Sequence, residues 1–314
     1  MTGVTARVPA KLNLQLAVGP PRADGYHDLV TVFHAVSLFD QVTVEPAGRD
    51  GVTVTGEGAD RVPADQDNLA LRAIAALRAE VPDRGTGAVH VTIAKRIPVA
   101  AGLAGGSADA AAALVACNEL WATGLTQPQL TGIGATVGSD VAFALLGGTA
   151  VGRGRGEQLT PALAPATQYH WVLAFADGQL STPAVYAALD RLRAARTADP
   201  AGSEVTAAAE PDLDAALMSA LRTGDPARVG QRLSNDLQPA AMSLFPALRK
   251  TLTAGLELGA LGALVAGSGP TCVFLAANAE RALELAVSLS GAGVCRSVAR
   301  VSGPVPGAAV VSAG

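Results

Sequence analysis

Apolar and polar residues alternate in the first part of the chain with the two-residue period of β-strands. In residues 11–18, KLNLQLAV, three leucines share one face, and the other face carries Lys11, Asn13 and Gln15. Residues 41–56, QVTVEPAGRDGVTVTG, predict two strands around a Gly/Asp turn, as in a hairpin. Residues 89–98 alternate again. The first third of the chain is therefore predicted to be mostly sheet.

Helical spacing appears in several later stretches. In residues 68–80 it places Leu71, Ile74 and Leu77 on one side of a helix. Thr182 and Pro183 are suited to open a further helix over residues 181–195. The pattern predicts the other elements, in chain order, as helices at 107–120, 128–136 and 139–145, a strand at 171–176, three helical stretches after residue 212, two strands around a glycine turn at 263–276, a helix at 279–290 and a last strand at 294–302.

Two segments lack an apolar period. We predict a mobile loop at residues 194–211 and a frayed tail at residues 303–314. Prolines and polar residues at 160–168 predict a linker between two groups of strands and helices. The chain is therefore predicted to have an α+β fold, with an N-terminal domain over 1–163 and a C-terminal domain over 164–314.

The composition argues against several classes of protein. The 314 residues carry a net charge of −4 and no basic run, which argues against nucleic-acid binding. No apolar stretch is long enough for a membrane span, and no signal peptide is recognisable. The three cysteines are widely spaced, which suggests neither a zinc site nor a disulfide framework. A cytoplasmic protein is expected, with neither nucleic acid nor membrane as its partner.

The stretch IPVAAGLAGGSADAAAAL, residues 97–114, is almost bare of side chains where a helix begins. It holds three glycines, and no side chain in it is larger than Leu103. A helix N-terminus exposes unpaired N–H groups and the positive end of the helix dipole, and glycines let a phosphate approach them. The alternative is a tight strand-to-helix turn with Ser107 as the N-cap. The glycine spacing fits neither a P-loop nor a dinucleotide-binding fingerprint.

These residues resemble the second signature of the GHMP kinases. That pattern is Pro-x-x-x-Gly-Leu-Gly-Ser/Gly-Ser-Ser/Ala, and Ala104 stands where glycine is common in the family. Three further segments are similar to parts of the same family and occur in the expected order. Residues 8–33 resemble the opening of the branch that acts on a cytidine diphosphate-linked methylerythritol, 138–157 the segment with its catalytic aspartate, and 265–274 the third motif, a C-terminal glycine turn.

The resemblance implies a two-domain GHMP kinase fold with the active site in the interdomain cleft. It implies that ATP phosphorylates the 2-hydroxyl of the cytidylated substrate in isoprenoid precursor synthesis, with Mg²⁺ as cofactor and Ser107 as a possible metal contact. We expect a monomer or weak homodimer. Asp109 is a weaker candidate for the metal, because an acid near a helix start also suits the helix dipole. The residues expected to bind ATP are Pro98, Val99, Ala100, Ala101, Gly102, Leu103, Ala104, Gly105, Gly106, Ser107 and Ala108.

Two residues are candidates for the phosphoryl transfer itself. Asp140 lies in a glycine-flanked, apolar setting, where a carboxylate is suited to accept a proton; the alternative is an N-cap of the following helix. A lone lysine in a strand is usually a solvent-facing charge, but the resemblance implies that Lys11 pairs with Asp140 and stabilises the reacting hydroxyl.

The remaining candidates concern the substrate and the second domain. The resemblance implies that Tyr26 and His27 hold the cytidine, with His27 bonding the base edge, and that Tyr186 stacks on the base from the second domain. An incidental turn pair and an ordinary helix core residue are the alternatives. Asn13 and Thr182 complete the predicted substrate contacts. The resemblance also implies that the turn at Gly267, Ser268 and Gly269 approaches the phosphates across the cleft, although its residues are compatible with an ordinary β-turn.

Two other functions remain open on the sequence. A homoserine- or mevalonate-type kinase shares the glycine signature, but the Asp-Gly-Tyr-His turn at residues 24–27 argues against it. A nucleotide-binding module without catalysis is the second alternative, and the presence of Lys11 and Asp140 argues against it.

Overall fold

Two β-sheets form the frame of the molecule. The structure is a computed structural model that describes residues 3–82, 85–163, 167–197 and 210–313. Within these ranges eight strands form one sheet and four strands form the other. The strands are β1 (Val4–Pro21), β2 (His27–Pro46), β3 (Gly51–Gly56), β4 (Val89–Lys95), β5 (Thr149–Gly154), β6 (Gln158–Pro161), β7 (Tyr169–Phe175), β8 (Ser234–Asn235), β9 (Gly262–Val265), β10 (Cys272–Ala276), β11 (Ser297–Gly303) and β12 (Ala309–Ala313).

Helices pack against both sheets. They are α1 (Leu69–Glu80), α2 (Gly105–Leu120), α3 (Gln127–Val137), α4 (Ser139–Leu146), α5 (Thr182–Thr197), α6 (Ala215–Thr223), α7 (Pro226–Gly230), α8 (Gln238–Leu244), α9 (Ala247–Glu257) and α10 (Ala279–Gly291). The predicted positions of α1 to α5 and of α10 are confirmed. Four helices, rather than the predicted three, lie between residues 212 and 262 in the described part of the chain.

The α+β class is confirmed, and the larger sheet has the order β12-β1-β2-β4-β3, with β5 and β6 attached to β2 and with β8 attached to β1. The smaller sheet has the order β11-β7-β10-β9. The predicted boundary between residues 163 and 164 falls between β6 and β7 and stays a prediction. Residues 164–166 of the predicted linker lie outside the described residues, as does most of the segment 194–211 that was predicted as a mobile loop.

The predicted hairpin at residues 41–56 is wrong. The strand β4 lies between β2 and β3, antiparallel to the first and parallel to the second. The chain therefore leaves β3, passes through α1 and returns in β4 as a crossover, the usual connection between parallel strands. This path buries the apolar side of α1, including Leu71, Ile74 and Leu77, in the large core, where α1 contacts α2 and α3. A local alternation pattern identifies a strand but not its neighbour.

The predicted frayed tail is also wrong for residues 309–313. These residues form β12, which pairs antiparallel with β1 and places Arg7 opposite Ala309. The pairing satisfies backbone groups that would otherwise remain open on the edge of β1. Two strands from the second half of the chain, β8 and β12, therefore belong to the sheet built mainly by the first half.

One large apolar core joins the two halves. It contains side chains of β1, β2 and β4, most of α2, and residues of the smaller sheet such as Trp171 and Leu173. Ten of the 16 residues of α2 are buried, and six of those ten are alanines. A second core lies on the other face of the smaller sheet, against α5, α8, α9 and α10. None of the helices in the described ranges has both the length and the apolar content needed to span a bilayer.

We predict that deletion of residues 308–314 destabilises the protein. The deletion would remove the strand paired with β1, and we expect a loss on the order of 2 kcal/mol, or a Tm lowered by about 4 °C. Differential scanning fluorimetry measures the shift. The matched control is Val311→Thr, which keeps the β12 backbone and changes only one exposed side chain. An unchanged Tm in the deletion variant would show that the strand adds nothing to stability.

Candidate active site

A cleft of about 540 Å³ lies where the two sheets approach each other. Strands β1 and β2 contribute Lys11, Asn13 and Thr31, and the glycine stretch forms one wall. The starts of α4 and α5 and the turn between β9 and β10 complete it. A second cavity of about 680 Å³ adjoins the cleft. The two share Leu29, Ser139, Arg155, Thr182, Pro183 and Tyr186.

A chain of hydrogen bonds fixes Lys11 at the floor of the cleft. The Lys11 Nζ atom donates to Asn13 Oδ1 at 2.7 Å, and Asn13 Nδ2 donates to Thr31 Oγ1 at 2.8 Å. The Thr31 hydroxyl donates in turn to the Gln15 carbonyl at 2.7 Å. Because an ammonium group has no acceptor, the orientation of the Asn13 amide is determined by its partners. The predicted substrate residue Asn13 is thus a holder of Lys11 in this structure.

The polar face of β1 is covered rather than open to solvent. Asn13 is 2% exposed and Gln15 is 5% exposed. The Gln15 side chain donates to the Asp212 carbonyl at 2.7 Å and accepts from the Asp214 N–H at 3.0 Å. The segment before α6 therefore covers the polar face of β1 at Gln15.

Asp140 faces Lys11 across the cleft. The distance from Lys11 Nζ to Asp140 Oδ1 is 3.8 Å, and the Asp140 side chain is 34% exposed. The N-cap of α4 is Gly138, and no side chain caps this helix. The alternative of Asp140 as an N-cap is therefore not what the structure shows, and its carboxylate is available to a ligand.

Two stacked phenylalanines support this pair. The Lys11 ammonium lies 5.5 Å from the centroid of the Phe33 ring, and Phe33 stacks on Phe143 at 4.8 Å. Since Phe143 is buried in α4, the stack links β2 to the helix that carries Asp140. The Lys11–Asp140 separation is thus set by packing as well as by charge.

The glycine stretch leads into α2, as predicted, but its cap differs. The N-cap is Ala104, which adopts the left-handed conformation with φ 59° and makes no side-chain cap. Ser107 is the third residue of the helix, and its half-buried hydroxyl lines the cleft. The N-cap alternative for Ser107 is therefore wrong. The first N–H groups of a helix have no intrahelical acceptor, so this end of α2 offers donors to an anion.

Gly102 and Gly106 differ in whether the fold has room for a side chain. A Cβ at Gly102 would lie 2.0 Å from the Ala266 carbonyl oxygen, and the residue has φ 78°, so glycine is required by the fold. A Cβ at Gly106 would meet only Leu69, at an ordinary 3.5 Å. The fold therefore tolerates a side chain at residue 106, and the missing side chain leaves free space on the cleft wall.

The predicted ATP-binding residues do not all reach the cleft. Those that line it are Ala100, Ala101, Gly102, Ala104, Gly105, Gly106 and Ser107. Leu103 and Ala108 are each 1% exposed and belong to the core. Pro98 and Val99 line a separate cavity of about 240 Å³ on the other side of the stretch.

The turn between β9 and β10 closes the cleft from the second half of the chain. A Cβ placed on Gly267 would lie 3.6 Å from Lys11 Nζ and 3.1 Å from the Gly102 carbonyl oxygen. The Ser268 hydroxyl lies 2.9 Å from Thr182 Oγ1, at the first residue of α5. Thr182, predicted to contact the substrate, therefore connects this turn to α5.

Asn235 holds the same turn from below. Its Nδ2 donates to the carbonyl groups of Val265 and Gly267, each at 2.7 Å, and its Oδ1 accepts from the Leu237 N–H at 2.9 Å. Because Asn235 belongs to β8, which pairs with β1, the turn is tied to the strand that carries Lys11.

The predicted cytidine residues meet in the second cavity. The rings of His27 and Tyr186 lie 5.0 Å apart, at an interplanar angle of 38°. Tyr26 is 55% exposed on the same cavity, and the Arg155 guanidinium lies 5.2 Å from its ring. Burial, with the Asp140 charge as a second cause, raises the pKa of Tyr186 to about 12. The ring cluster is thus within electrostatic range of the carboxylate in the cleft.

A buried ionic cluster lies beneath the glycine stretch. Lys95 Nζ donates to Asp40 Oδ2 at 2.5 Å and to Asp109 Oδ2 at 2.7 Å. The other Asp40 oxygen accepts from the N–H groups of Arg96 and Ile97. All three charged side chains are at most 3% exposed. The cluster joins β2, β4 and α2 directly below the cleft wall.

The two carboxyl groups of the cluster are not equivalent. Asp40 receives three donors, whereas Asp109 Oδ1 is buried without a partner in the described structure. Burial raises the pKa of Asp109 well above its ordinary value despite the opposing charge of Lys95. Lys95 thus contacts Asp40, which accepts three hydrogen bonds, and Asp109, whose raised pKa favours the protonated form.

A magnesium ion would find few protein ligands here. Among the described residues, no group of three or more His, Cys, Asp or Glu side chains is arranged to hold a metal. Asp109 is committed to Lys95 and does not line the cleft. Ser107 and Asp140 do line it. This thin donor set fits Mg²⁺ that is held largely by phosphate oxygens and water, as is usual for nucleotide-bound magnesium.

Sequence reasoning missed Asn235, Arg155 and Asp190. The third was detectable, because Asp190 follows Tyr186 by four residues and shares its helix face. Its Oδ1 atom lies 3.0 Å from His27 Nε2. Asn235 and Arg155 carry no local signal, since their partners lie on distant segments of the chain.

Models of one family match the chain in two places. The model of the GHMP kinases N terminal domain matches residues 68–148, and that of the GHMP kinases C terminal matches residues 217–295. A protein of Thermobifida fusca named 4-diphosphocytidyl-2-C-methyl-D-erythritol kinase is 55% identical over 318 residues, and the match covers 99% of both chains.

Solved structures share the fold. A crystal structure of 4-(cytidine 5'-diphospho)-2C-methyl-D-erythritol kinase is 33% identical, with a TM-score of 0.72, and the match covers 95% of this chain and 98% of that one. Homoserine kinase from Cytophaga hutchinsonii superposes with the same TM-score of 0.72 at 19% identity, over 99% of this chain and 98% of that one. The second likeness concerns the fold alone.

The buried cluster generates a prediction about stability. We expect Asp40→Asn to cost about 3–5 kcal/mol, because it leaves the buried Lys95 charge uncompensated. Asp109→Asn imitates the protonated carboxyl and should cost far less. Urea unfolding at pH 7 measures both. Equal losses in the two variants would contradict the inequality of the two carboxyl groups.

The same pair predicts a pH dependence. Because the pKa of Asp109 is raised in the folded protein, unfolding releases a proton at pH values above the ordinary pKa of aspartate. The stability due to this group is present at lower pH and is lost as the pH rises toward the raised pKa. The stability of Asp109→Asn relative to the parent should therefore increase with pH. If the difference in unfolding free energy between the variant and the parent stays constant from about pH 4.5 to about pH 8, the assignment is contradicted.

Proposed function

Since the chain belongs to the 4-diphosphocytidyl-2-C-methyl-D-erythritol kinases of the GHMP kinase superfamily, we propose that Lys11 and Asp140 carry out the phosphoryl transfer of that family in the cleft. The reaction moves the γ-phosphoryl group of ATP to the 2-hydroxyl of 4-diphosphocytidyl-2-C-methyl-D-erythritol, in the formation of isoprenoid precursors. The observation that carries the proposal is the Lys11–Asp140 pair, which lies between a helix N-terminus and an aromatic cluster.

Asp140 is the proposed base. Its carboxylate accepts the proton of the 2-hydroxyl as the oxygen attacks the γ-phosphorus, and the bond to the β–γ bridging oxygen breaks. Lys11 stabilises the negative charge that develops on the reacting oxygens. Asn13 and Phe33 hold the lysine for this task, since Asn13 accepts a hydrogen bond from the ammonium group and Phe33 presents its ring to it.

The phosphates of ATP are proposed to bind at the start of α2. The bare wall at Gly105 and Gly106 lets the phosphate oxygens approach the N–H groups of the first helical turn. Ser107 is the proposed protein contact of a Mg²⁺ ion, which would neutralise phosphate charge when bound with the nucleotide. The turn at Gly267 and Ser268 lines the same cleft.

The cytidine is proposed to bind in the second cavity. A substrate with a nucleoside at one end and a reacting hydroxyl at the other needs two connected spaces, and the two cavities here share a wall. His27 and Tyr186 form one side of the nucleoside space, and Tyr26 forms its exposed rim. The polyol end then lies near Asp140.

Two alternatives are tested by substrate choice. A homoserine- or mevalonate-type kinase has a short substrate and no use for the second cavity. A nucleotide-binding module would bind ATP without turnover. Steady-state ADP release with the cytidylated substrate, homoserine and mevalonate separates all three, because only the proposed function requires turnover with the first substrate alone. We propose that the enzyme acts as a monomer or weak homodimer in a cytoplasmic setting.

The proposed base gives a sharp kinetic prediction. Asp140→Asn should fold and bind both substrates but lose roughly 10²- to 10⁴-fold in kcat, the usual worth of a positioned base. The matched control is Asp60→Asn, an exposed carboxylate outside both cavities. If Asp140→Asn kept its kcat within a few-fold of the parent value, Asp140 would not be the base.

The glycine wall gives a prediction about ATP. Gly106→Val should weaken ATP binding at least 10-fold, because the side chain would occupy the space left for the phosphates. Affinity for the cytidylated substrate should change much less. Isothermal titration calorimetry measures both. Gly132→Val, on an exposed helix position with open space around it, is the control. Unchanged ATP affinity in Gly106→Val would reduce the stretch to a structural turn.

A further inference from the structure

One nitrogen of the His27 ring is occupied by a carboxylate. His27 is the first residue of β2, and its Nε2 lies 3.0 Å from Oδ1 of Asp190, one turn beyond Tyr186 on α5. The His27 side chain is 6% exposed, whereas that of Asp190 is 37% exposed. The histidine is thus held between the Tyr186 ring and the Asp190 carboxylate, and all three residues line the second cavity.

This contact determines which nitrogen carries the proton. An ionised carboxylate only accepts hydrogen bonds, so Nε2 of His27 must be the donor. A neutral imidazole protonated at Nε2 has a free lone pair at Nδ1. Within the described residues Nδ1 makes no hydrogen bond, and it is not fully buried. The atom is therefore an acceptor that a ligand in the cavity can reach.

We infer that Asp190 is a positioning residue that makes this site select cytosine over uracil. The inference rests on the proposed function, which places the base of the substrate beside His27. Cytosine carries an amino donor at C4, whereas uracil carries a carbonyl acceptor at the same place. An acceptor at Nδ1 binds the amino group and faces the uracil carbonyl with a second lone pair. Asp190 acts through His27 and touches no reacting atom.

The side chains around His27 are consistent with this role. Tyr186 presents its ring to the imidazole and leaves the edge of the ring to other groups. Arg155 lies over the Tyr26 ring, and the only charged group bonded to His27 in the described structure is Asp190. Without Asp190 the imidazole would be free to place its proton on either nitrogen, and a base of either kind would find a matching form.

The test is the ratio of kcat/KM for the cytidine and uridine forms of the substrate. Asp190→Asn can donate its amide N–H to Nε2 and so shift the proton to Nδ1. We expect the ratio to fall about 10- to 100-fold, the scale of a base-edge contact, through KM rather than kcat. Asp190→Glu keeps an acceptor and should recover most of the ratio. Glu257→Gln, an exposed carboxylate on α9, is the control.

Nuclear magnetic resonance supplies a second readout. The imidazole ¹⁵N shifts of His27 should show protonated Nε2 in the parent protein and a shift of the proton toward Nδ1 in Asp190→Asn. A merely structural role for Asp190 would lower kcat/KM for both bases equally and leave the ring proton at Nε2, and either result would overturn the inference.

The Tyr186→Ala variant separates this inference from the proposed function. If Tyr186→Ala raises the KM for the cytidylated substrate while the Asp190→Asn ratio stays unchanged, the base binds where we propose and only the role of Asp190 is wrong. If Tyr186→Ala leaves that KM unchanged, the base does not bind in this cavity and the placement of the substrate fails as well.

Discussion

The burial of α2 in the large core constrains the rest of the molecule. This helix lies in the common core and contacts β1, β2, α1 and α4, and its first turn also forms a wall of the cleft. A helix enclosed by these elements needs short side chains on nearly every face, which explains its run of alanines. The same shortness at its N-terminus exposes backbone donors. The same short side chains therefore provide both a close-packed core and the proposed site for phosphate.

Because the core and the cleft share α2, the charges that hold the helix have to be kept away from the ligand. Lys95 meets Asp40 and Asp109 on the buried side, under the glycine stretch. Lys11 and Asp140 meet on the open side, where the carboxylate keeps a third of its exposure. The first group is buried, whereas the Asp140 carboxylate of the second is open to solvent and to a ligand. The buried Lys95 cluster and the exposed Lys11–Asp140 pair thus differ in solvent access and serve different purposes.

Local patterns predicted much of this arrangement, and long-range pairing predicted little of it. The period in residues 68–80 identified α1, and the bare glycine stretch identified the start of α2, because both signals lie within one element. The hairpin at residues 41–56 was wrong because alternation does not reveal which strand lies alongside. The frayed tail was wrong because a segment without an apolar period can still pair with a distant strand. Asp109 appeared as a helix-dipole acid, since nothing near it in sequence shows that Lys95 and Asp40 enclose it. Asp190 was missed although its spacing from Tyr186 was visible, because the partner that gives it meaning, His27, is 163 residues away.

The return of β12 to the first sheet also affects how the chain folds as it is made. Domains usually fold as units during synthesis, the N-terminal one first. Here residues 4–7, at the edge of β1, pair with residues 309–313. Those partner residues are synthesised after almost the whole second half of the chain. During translation this edge remains open to pairing with other strands, including those of neighbouring nascent chains. The larger sheet is therefore complete only after residues 309–313 have been synthesised.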